Sequence, residues 1–495
     1  MFSIKNKKVY TYVFIFLAGA LYTSSFSPFD YKISIFISLI VFFSLLINNN
    51  PKESILISYI YALSIFITGV SWIFNSIYFY GGEYLIFSLF LTTLFILLIS
   101  IFFIPIGLLI NKKSHNLLYL YPLIVPSVWV FTEILRSYIF GGFPWLLVGT
   151  SQIGTIFNIF FPLLGSYSVS FLVIMLSILV TLVIYNRRFI QIFIKYLISI
   201  IGIVIFLHIF QPNLTSPDNK ESLGISIIQP NIHLGTKYDK TKIKAIKKKY
   251  TDLMHDNNIN NLIILPETAI PTLYENDKEF YENIIKDRNV NLITGVFRYD
   301  KSQNMVYNSM LSISDKEYFY DKRHMVPFGE YTPLKSVFGY IAEILDLPMS
   351  NLTEGKNIQK PFINGEVVIH QLICYEAAFP SLLNITNAPS LIVNISNDAW
   401  FGNSLAPYQH LQIAQSRALE SKKFLVRVAN TGISAIIDQN GQIVEQIPLN
   451  AEGVINTKIY PLRGITPYMY FGDYPILMLI FSIMIFYWNR YKKHG

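Results

Sequence analysis

Three side chains in the second half of this sequence stand where chemistry gathers in α/β proteins, directly after a short apolar run of β type. Pro266-Glu267 follows Leu262 to Leu265, Asp321 and Lys322 follow Tyr318-Phe319-Tyr320, and Cys374 follows Val367 to Ile373. Singly each signal is weak, because a Glu after a Pro or a Lys in a loop is commonly solvated surface. Together they supply a base, a cation and a nucleophile. A neutral thiol attacks poorly, so Glu267 is the candidate to take the thiol proton. Lys322 is then suited to stabilise the thiolate and the tetrahedral oxyanion, helped by a backbone amide just after Cys374. Cys374 is the single cysteine of the chain, and a buried small hydrophobe is the alternative reading of it. One cysteine excludes an intrachain disulfide, and eight histidines without HExxH or HxxxH spacing leave a zinc site unsupported. Neither a metal nor a cofactor is expected.

Such residues need a sheet to hold them. From Leu223 onward short apolar runs alternate with turns and helical stretches: Leu223 to Ile228, Leu262 to Leu265, Leu292 to Val296, Val367 to Ile373 and Leu391 to Ile395. That alternation predicts a layered α/β domain, and about 250 residues is ample for one core. Lys240 to Lys249 reads as a lysine-rich helix with a solvated face, attraction to anionic lipid headgroups being the other reading. No segment reads as a nucleic-acid module, a Gly-rich phosphate loop or an internal repeat.

The rest of the chain is of another kind. With 495 residues, 52% hydrophobic and only 14% charged, the sequence is too apolar for an ordinary soluble protein of its length. Runs long enough for a hydrocarbon layer of about 30 Å lie at 9–26, 31–47, 54–76, 84–110, 117–138, 160–185, 192–211 and 474–489. A net charge of +8 could suggest nucleic acid, but most of the informative Lys and Arg flank these runs. Lys5, Lys7 and Lys8 precede the first, Lys52 follows the second, and Lys112 and Lys113 follow the fourth. Arg187, Arg188 and Lys195 follow the sixth, and Arg490, Lys492 and Lys493 end the chain. By the positive-inside rule both termini are expected in the cytoplasm and the segment 212–472 outside. The first run could alternatively be a cleaved signal peptide, since Ala18-Gly19-Ala20 resembles a cleavage site.

Two features of the helices exceed anchoring. Glu133 and Arg136 lie three residues apart on one helical face, either as an internal ion pair or as a headgroup-binding pair. Gly141-Gly142-Phe143-Pro144-Trp145 follows as an aromatic loop at headgroup level, where interfacial anchoring alone would explain Trp145.

The motifs around the trio resemble those of the nitrilase superfamily, whose Glu, Lys and Cys occur in that chain order. Leu265-Pro266-Glu267-Thr268 resembles its glutamate motif, Tyr320 through Glu330 (YDKRHMVPFGE) its lysine motif, and Ile373-Cys374-Tyr375-Glu376 its cysteine motif. Within the superfamily nearly the whole chain resembles the apolipoprotein N-acyltransferase family, through Gly142-Phe143-Pro144-Trp145, Gln229-Pro230-Asn231-Ile232, and Asn394 through Gly402 (NISNDAWFG). The resemblance implies Glu330 as a second carboxylate that orients Lys322 or assists proton transfer, and roles for Tyr375 and Glu376 at the cysteine turn. Ordinary loop structure for Glu330, strand-end packing for Tyr375 and a structural hydrogen bond for Glu376 are the alternatives. It also implies substrate contacts at Tyr238, where the family usually has Trp, and at Trp145 and Trp400, to which the headgroup-binding reading adds Glu133 and Arg136.

The expected fold is a multi-pass α-helical membrane protein of about eight transmembrane helices with an inserted α/β nitrilase-like domain, an αββα sandwich. Its expected parts are helices over 1–211, an extracytoplasmic catalytic domain over 212–472, and a last helix with a cytoplasmic tail over 473–495. The resemblance implies a bacterial inner membrane, a periplasmic site, phosphatidylethanolamine as acyl donor, and a diacylglyceryl apolipoprotein as acceptor. A monomer without nucleic acid is expected. A membrane-anchored amidase or nitrilase using the same trio is a competing reading, and a non-catalytic scaffold or transporter is a third.

Overall fold

The structure is a computed structural model that describes residues 2–494 except 81–83, 112–116, 210–213, 218–221, 256, 258–259, 315, 328, 332–351 and 384–385. Lys112, Lys113, Phe328 of the lysine motif and the boundary at 211–212 lie outside the described residues, as do the side chains of Lys5, Lys7 and Lys493. The chain divides into two compact units. Met1–Phe74, Tyr84–Pro212 and Phe471–Gly495 form one, and Asn75–Glu83 with Asn213–Tyr470 the other.

The first unit is helical. Five of its helices are long and apolar enough to cross a membrane: Pro51–Val70, Leu85–Leu109, Leu117–Gly141, Ile156–Tyr185 and Arg187–Ile209. Two shorter apolar helices, Lys8–Thr23 and Ser34–Ile47, correspond to the first two runs, and the last run lies in the helix Tyr474–His494. Aromatic side chains make the centre of the unit. Phe42 stacks on Tyr61 at 4.1 Å between ring centroids, and the edge of Trp129 meets Phe42, Phe43 and Phe103. Buried hydroxyls donate to carbonyls one turn back in their own helices, Ser127 to Leu123 and Ser177 to Val173. That pairing satisfies polar groups to which lipid offers no partner.

The second unit is a four-layer sandwich. Its six-stranded sheet runs in the order Gly453–Ile459, Leu223–Gln229, Leu262–Ile264, Asn291–Asp300, Met305–Ile313, Glu317–Asp321. Leu223–Gln229, Leu262–Ile264 and Asn291–Asp300 are parallel, and the flanking strands pair antiparallel. The other sheet repeats that plan. Val367–Ile373, Ser390–Ser396 and Leu425–Ala429 are parallel, with Ile373 opposite Ile395 and Ile395 opposite Val428. Phe362–Asn364 pairs antiparallel at one side, Ser434–Ile437 and Ile443–Ile447 at the other. The two-residue strands Leu462–Arg463 and Ser216–Pro217 continue from Ser390.

Strand alternation sorts the apolar side chains into three cores. Ile225, Ile227, Leu262 and Ile264 of one sheet meet Ile369, Ile373, Leu391, Val393 and Ile395 of the other. On the outer face of the first sheet, Ile263 and Leu292 pack under Ile246, Tyr250 and Met254 of the helix Ile243–His255, a stripe at four-residue spacing. The lysine-rich stretch thus has a buried apolar face as well as charges. On the outer face of the second sheet, Leu372 and Ile392 pack under Leu411, Ala414 and Ala418 of the helix Ala406–Ser421. The parallel strands are apolar on both faces because each face is covered. Their ends are where the polar residues begin.

Candidate active site

Glu267 sits on a turn that one glycine makes room for. The strand Leu262–Ile264 is followed by Leu265, whose N–H still donates to Ile293 O at 2.8 Å, and then by Pro266. Gly295 N–H donates to Pro266 O at 3.1 Å and Gly295 O accepts from Ala269 N–H at 2.9 Å, so the turn lies flat on the neighbouring strand. A Cβ on residue 295 would come within 2.5 Å of Glu267 Cα and 2.4 Å of Thr268 N. The Glu267 carboxylate is buried, accepts from Asn308 Nδ2 at 2.8 Å, and lies 3.6 Å from Lys322 Nζ.

Lys322 leaves the hairpin of Met305–Ile313 and Glu317–Asp321, with its N–H donating to Asn308 O at 2.9 Å. Its side chain is 1% exposed, and the ammonium donates to Glu330 Oε1 at 2.8 Å. Glu330 also accepts from Asn308 Nδ2 at 3.1 Å and from Val326 N–H at 2.8 Å, closing the lysine loop on itself. Burial alone would push the lysine toward its neutral form, but the Glu330 and Glu267 carboxylates outweigh it and hold Lys322 protonated, well above the usual lysine range.

Cys374 follows the strand Val367–Ile373 in a left-handed conformation, φ +50°, and opens a short 3₁₀ turn to Ala378. A non-glycine residue held there is strained, and the surroundings must over-determine it. Glu376 does much of that. Fully buried, its carboxylate accepts from Ile373 N–H at 2.7 Å, Arg323 N–H at 2.6 Å, His324 N–H at 3.1 Å and the Tyr320 hydroxyl at 3.1 Å. One carboxylate therefore ties the cysteine turn to the lysine loop. Burial pushes the Cys374 thiol well up, the Glu267 charge adds to the rise, and the Lys322 charge opposes it. The resting group is a neutral thiol within reach of both charges. Tyr375 packs its ring against Phe379 and His324 at centroid separations of 5.2 and 5.9 Å.

Tyr238 and Trp400 face each other at 6.3 Å between ring centroids. The segment Asn75–Glu83 belongs to this unit, and Asn75 and Ser76 donate to the carbonyls of Phe401 and Trp400 at 3.1 and 2.9 Å. The other three expected substrate residues lie in the helical unit. There Trp145 is fully buried against Trp72 and Phe143. Glu133 accepts from Val148 N–H at 2.9 Å and Trp129 Nε1 at 3.1 Å, while Arg136 donates to the carbonyls of Trp145 and Phe143. Both charged side chains brace the backbone of residues 143–148.

Two buried residues of the site have no signal in the sequence. Asn308 bridges Glu267 and Glu330 from mid-strand. Lys237, one residue before Tyr238, is 1% exposed and donates from Nζ to Glu267 O at 3.0 Å. Burial lowers its pKa to about 7, with the Glu267 and Cys374 charges acting in the opposite sense. In sequence it is one more lysine ahead of a lysine-rich helix.

Cys374, Asp398 and His410 place potential ligand atoms within 4.8 Å of one another. Arg427 already donates to Asp398 at 2.7 Å, and His410 Nε2 lies 3.1 Å from Cys374 O. A cation on the carboxylate and a committed imidazole suit a hydrogen-bond network and oppose a metal.

Comparison with known proteins agrees with the division into units. Residues 18–179 match the apolipoprotein N-acyltransferase N-terminal domain, and residues 224–463 match carbon-nitrogen hydrolase. The chain is 33% identical to apolipoprotein N-acyltransferase of Photobacterium profundum, covering 93% of this chain and 91% of that one. It is 31% identical to that of Methylococcus capsulatus, over 96% and 95% of the two chains, and 32% identical to that of Coxiella burnetii, over 96% and 99%.

The buried lysine beside Glu267 has a measurable signature. Folded Lys237 releases its proton near pH 7, whereas an unfolded lysine keeps it to about pH 10. Between those values unfolding takes up a proton, so Lys237 makes stability rise with pH across that interval. Thermal unfolding of the full chain in detergent should show this rise, and Lys237→Met should flatten it while lowering kcat/KM about 10-fold. An unchanged pH slope in Lys237→Met would show that the lysine is not buried beside Glu267.

Proposed function

The chain belongs to the apolipoprotein N-acyltransferase family, and from that premise we propose that it moves an acyl chain from a phospholipid to the N-terminal amine of a diacylglyceryl lipoprotein through a thioester on Cys374. It is a membrane acyltransferase of the nitrilase superfamily. The observation that carries the reading is the clamp on Lys322: a buried ammonium between Glu330 and Glu267, acting on a buried thiol.

In the first half-reaction Glu267 accepts the thiol proton and the thiolate attacks the ester carbonyl of the phospholipid, phosphatidylethanolamine being the expected donor. The oxyanion forms beside Lys322 and a backbone N–H after Cys374. The C–O bond then breaks, and Glu267 returns the proton to the departing lysophospholipid oxygen. In the second half-reaction the lipoprotein amine attacks the thioester carbonyl and gives a proton to Glu267. The C–S bond breaks, the amide leaves, and the proton returns to sulfur. Glu330 holds Lys322 in place throughout. Tyr375 shapes the cysteine turn and Glu376 fixes it to the lysine loop. Tyr238 and Trp400 are assigned to the acyl chains. Trp145, expected from the sequence to meet lipid, is instead fully buried, and with Glu133 and Arg136 it is assigned to shaping the loop 143–148 of the helical unit.

A membrane anchor suits substrates that themselves reside in a bilayer. Five long apolar helices, two shorter ones and the C-terminal helix support eight spans, and the alternation of Lys and Arg supports a site on the non-cytoplasmic side, the periplasmic side of the bacterial inner membrane that membership of the family suggests. A monomer suffices, since the trio comes from one chain.

Labelled phosphatidylethanolamine with a diacylglyceryl lipopeptide tests the reading. Labelled amide is expected, Cys374→Ala should abolish it, and Glu267→Gln and Lys322→Ala should each lose about 100-fold or more. Continuous release of free fatty acid with no amide would assign the site to hydrolysis instead.

Orientation is testable separately with a membrane-impermeant thiol reagent. Cys374 should react in cells with an opened outer barrier and an intact inner membrane, and a site reached only after inner-membrane lysis would contradict the topology.

A further inference from the structure

Next to Cys374 lies a second set of buried polar groups that the mechanism above does not use. Ser396 ends the strand parallel to Val367–Ile373, one residue beyond the pair Ile373 and Ile395. Its hydroxyl is 3.4 Å from Cys374 Sγ and 2.7 Å from Asp398 Oδ1. Asp398 is held independently by Arg427 Nη2 at 2.7 Å, and the same guanidinium nitrogen donates to His410 Nδ1 at 3.0 Å. His410 Nε2, 3.1 Å from Cys374 O, donates to that carbonyl and so pins the strained residue itself. Ser396 and Arg427 are fully buried, and Asp398 and His410 are 1% exposed. Gly432 leaves the space Asp398 occupies, since a Cβ there would come within 2.5 Å of Oδ2.

A hydroxyl has one proton, and here it has two acceptors to choose between. In the resting enzyme the thiol is neutral. The shorter bond then runs from Ser396 to the Asp398 carboxylate, leaving the hydroxyl oxygen to accept from the thiol S–H. Once Glu267 holds the thiol proton, the sulfur is an anion in a dry pocket and becomes the stronger claimant. Asp398 can release the serine because its buried ion pair with Arg427 remains, so the carboxylate is not left unpartnered.

We propose that Ser396, backed by Asp398, Arg427 and His410, is a further catalytic residue: it accepts from the Cys374 thiol at rest and turns to donate to the thiolate. The turn moves a hydrogen bond without breaking the O–H bond. The thiol proton goes to Glu267 as before. When the lipoprotein amine displaces sulfur from the thioester, the departing thiolate regains the same donor until Glu267 returns its proton. The proposal rests on Cys374 being the nucleophile. Of the charged groups that act on its sulfur, Glu267 and Asp398 oppose the thiolate and Lys322 favours it, so a neutral donor on the Asp398 side offsets part of that repulsion.

The chain has one cysteine, so the infrared S–H stretch and alkylation by iodoacetamide each report Cys374 alone. In the full-length unmodified protein the S–H band should lie below that of a free thiol in an apolar solvent, and Ser396→Ala should move it back. Ser396→Ala should slow alkylation about 10-fold at one mildly alkaline pH, the effect of one hydrogen bond to the anion. Ser396→Thr, which keeps the hydroxyl, should restore most of the rate. An unmodified band at the free-thiol position, or wild-type alkylation by a folded Ser396→Ala, would overturn the proposal. If Ser396→Ala does not fold, the band of the unmodified protein still decides. Neither readout uses a substrate. Acyl transfer by Cys374→Ala would sink the thioester reading and leave this hydrogen bond standing.

Discussion

A lysine with 1% of its surface exposed, held between two carboxylates, is the interaction on which the rest of the site depends. Burying an ammonium is costly unless its partners are close and well made. Here the partners are themselves held: Glu330 by Val326 N–H and Asn308, Glu267 by Asn308 from one side and, through its carbonyl, by Lys237 from the other. Removing Lys322 or Glu330 leaves another buried charge without its complement. The cluster accordingly acts as a unit, and its geometry is set before any substrate arrives.

The same logic extends to the proposed nucleophile. Cys374 is strained and its thiol is pushed toward the neutral form, so it does not rest as a thiolate. On the proposed mechanism the proton is taken only when a carbonyl is at hand. Glu376 and His410 fix the turn from two directions, one through four hydrogen bonds to its carboxylate and the other through the Cys374 carbonyl. Backbone strain at this residue is sustained by buried charge.

What the sequence made legible follows from the strands. Glu267, Lys322 and Cys374 stood out because each ends an apolar or aromatic run, and runs such as Val367 to Ile373 are unmistakable when both faces of a strand are covered. The strands Met305–Ile313 and Leu425–Ala429 carry Asn308, Ser309 and Arg427 at buried positions, which breaks the apolar pattern and hides them. These same interruptions build the site. Lys237 and His410 are invisible for a related reason: burial among charged partners is a tertiary property, and a short or polar neighbourhood in sequence carries no trace of it. Glu133 and Arg136 were legible as a pair on one helical face, but their bonds to the backbone around Trp145 depend on a loop that no periodicity describes.

The central claim is that the acyl chain rests on Cys374 between donor and acceptor. Incubating the enzyme with phosphatidylethanolamine and no lipopeptide, then mapping peptides by mass spectrometry, tests it most directly. The expected result is one acyl mass on the peptide containing Cys374, removed by neutral hydroxylamine or by a diacylglyceryl lipopeptide. Transfer to the lipopeptide by an enzyme that never carries an acyl group on Cys374 would contradict it.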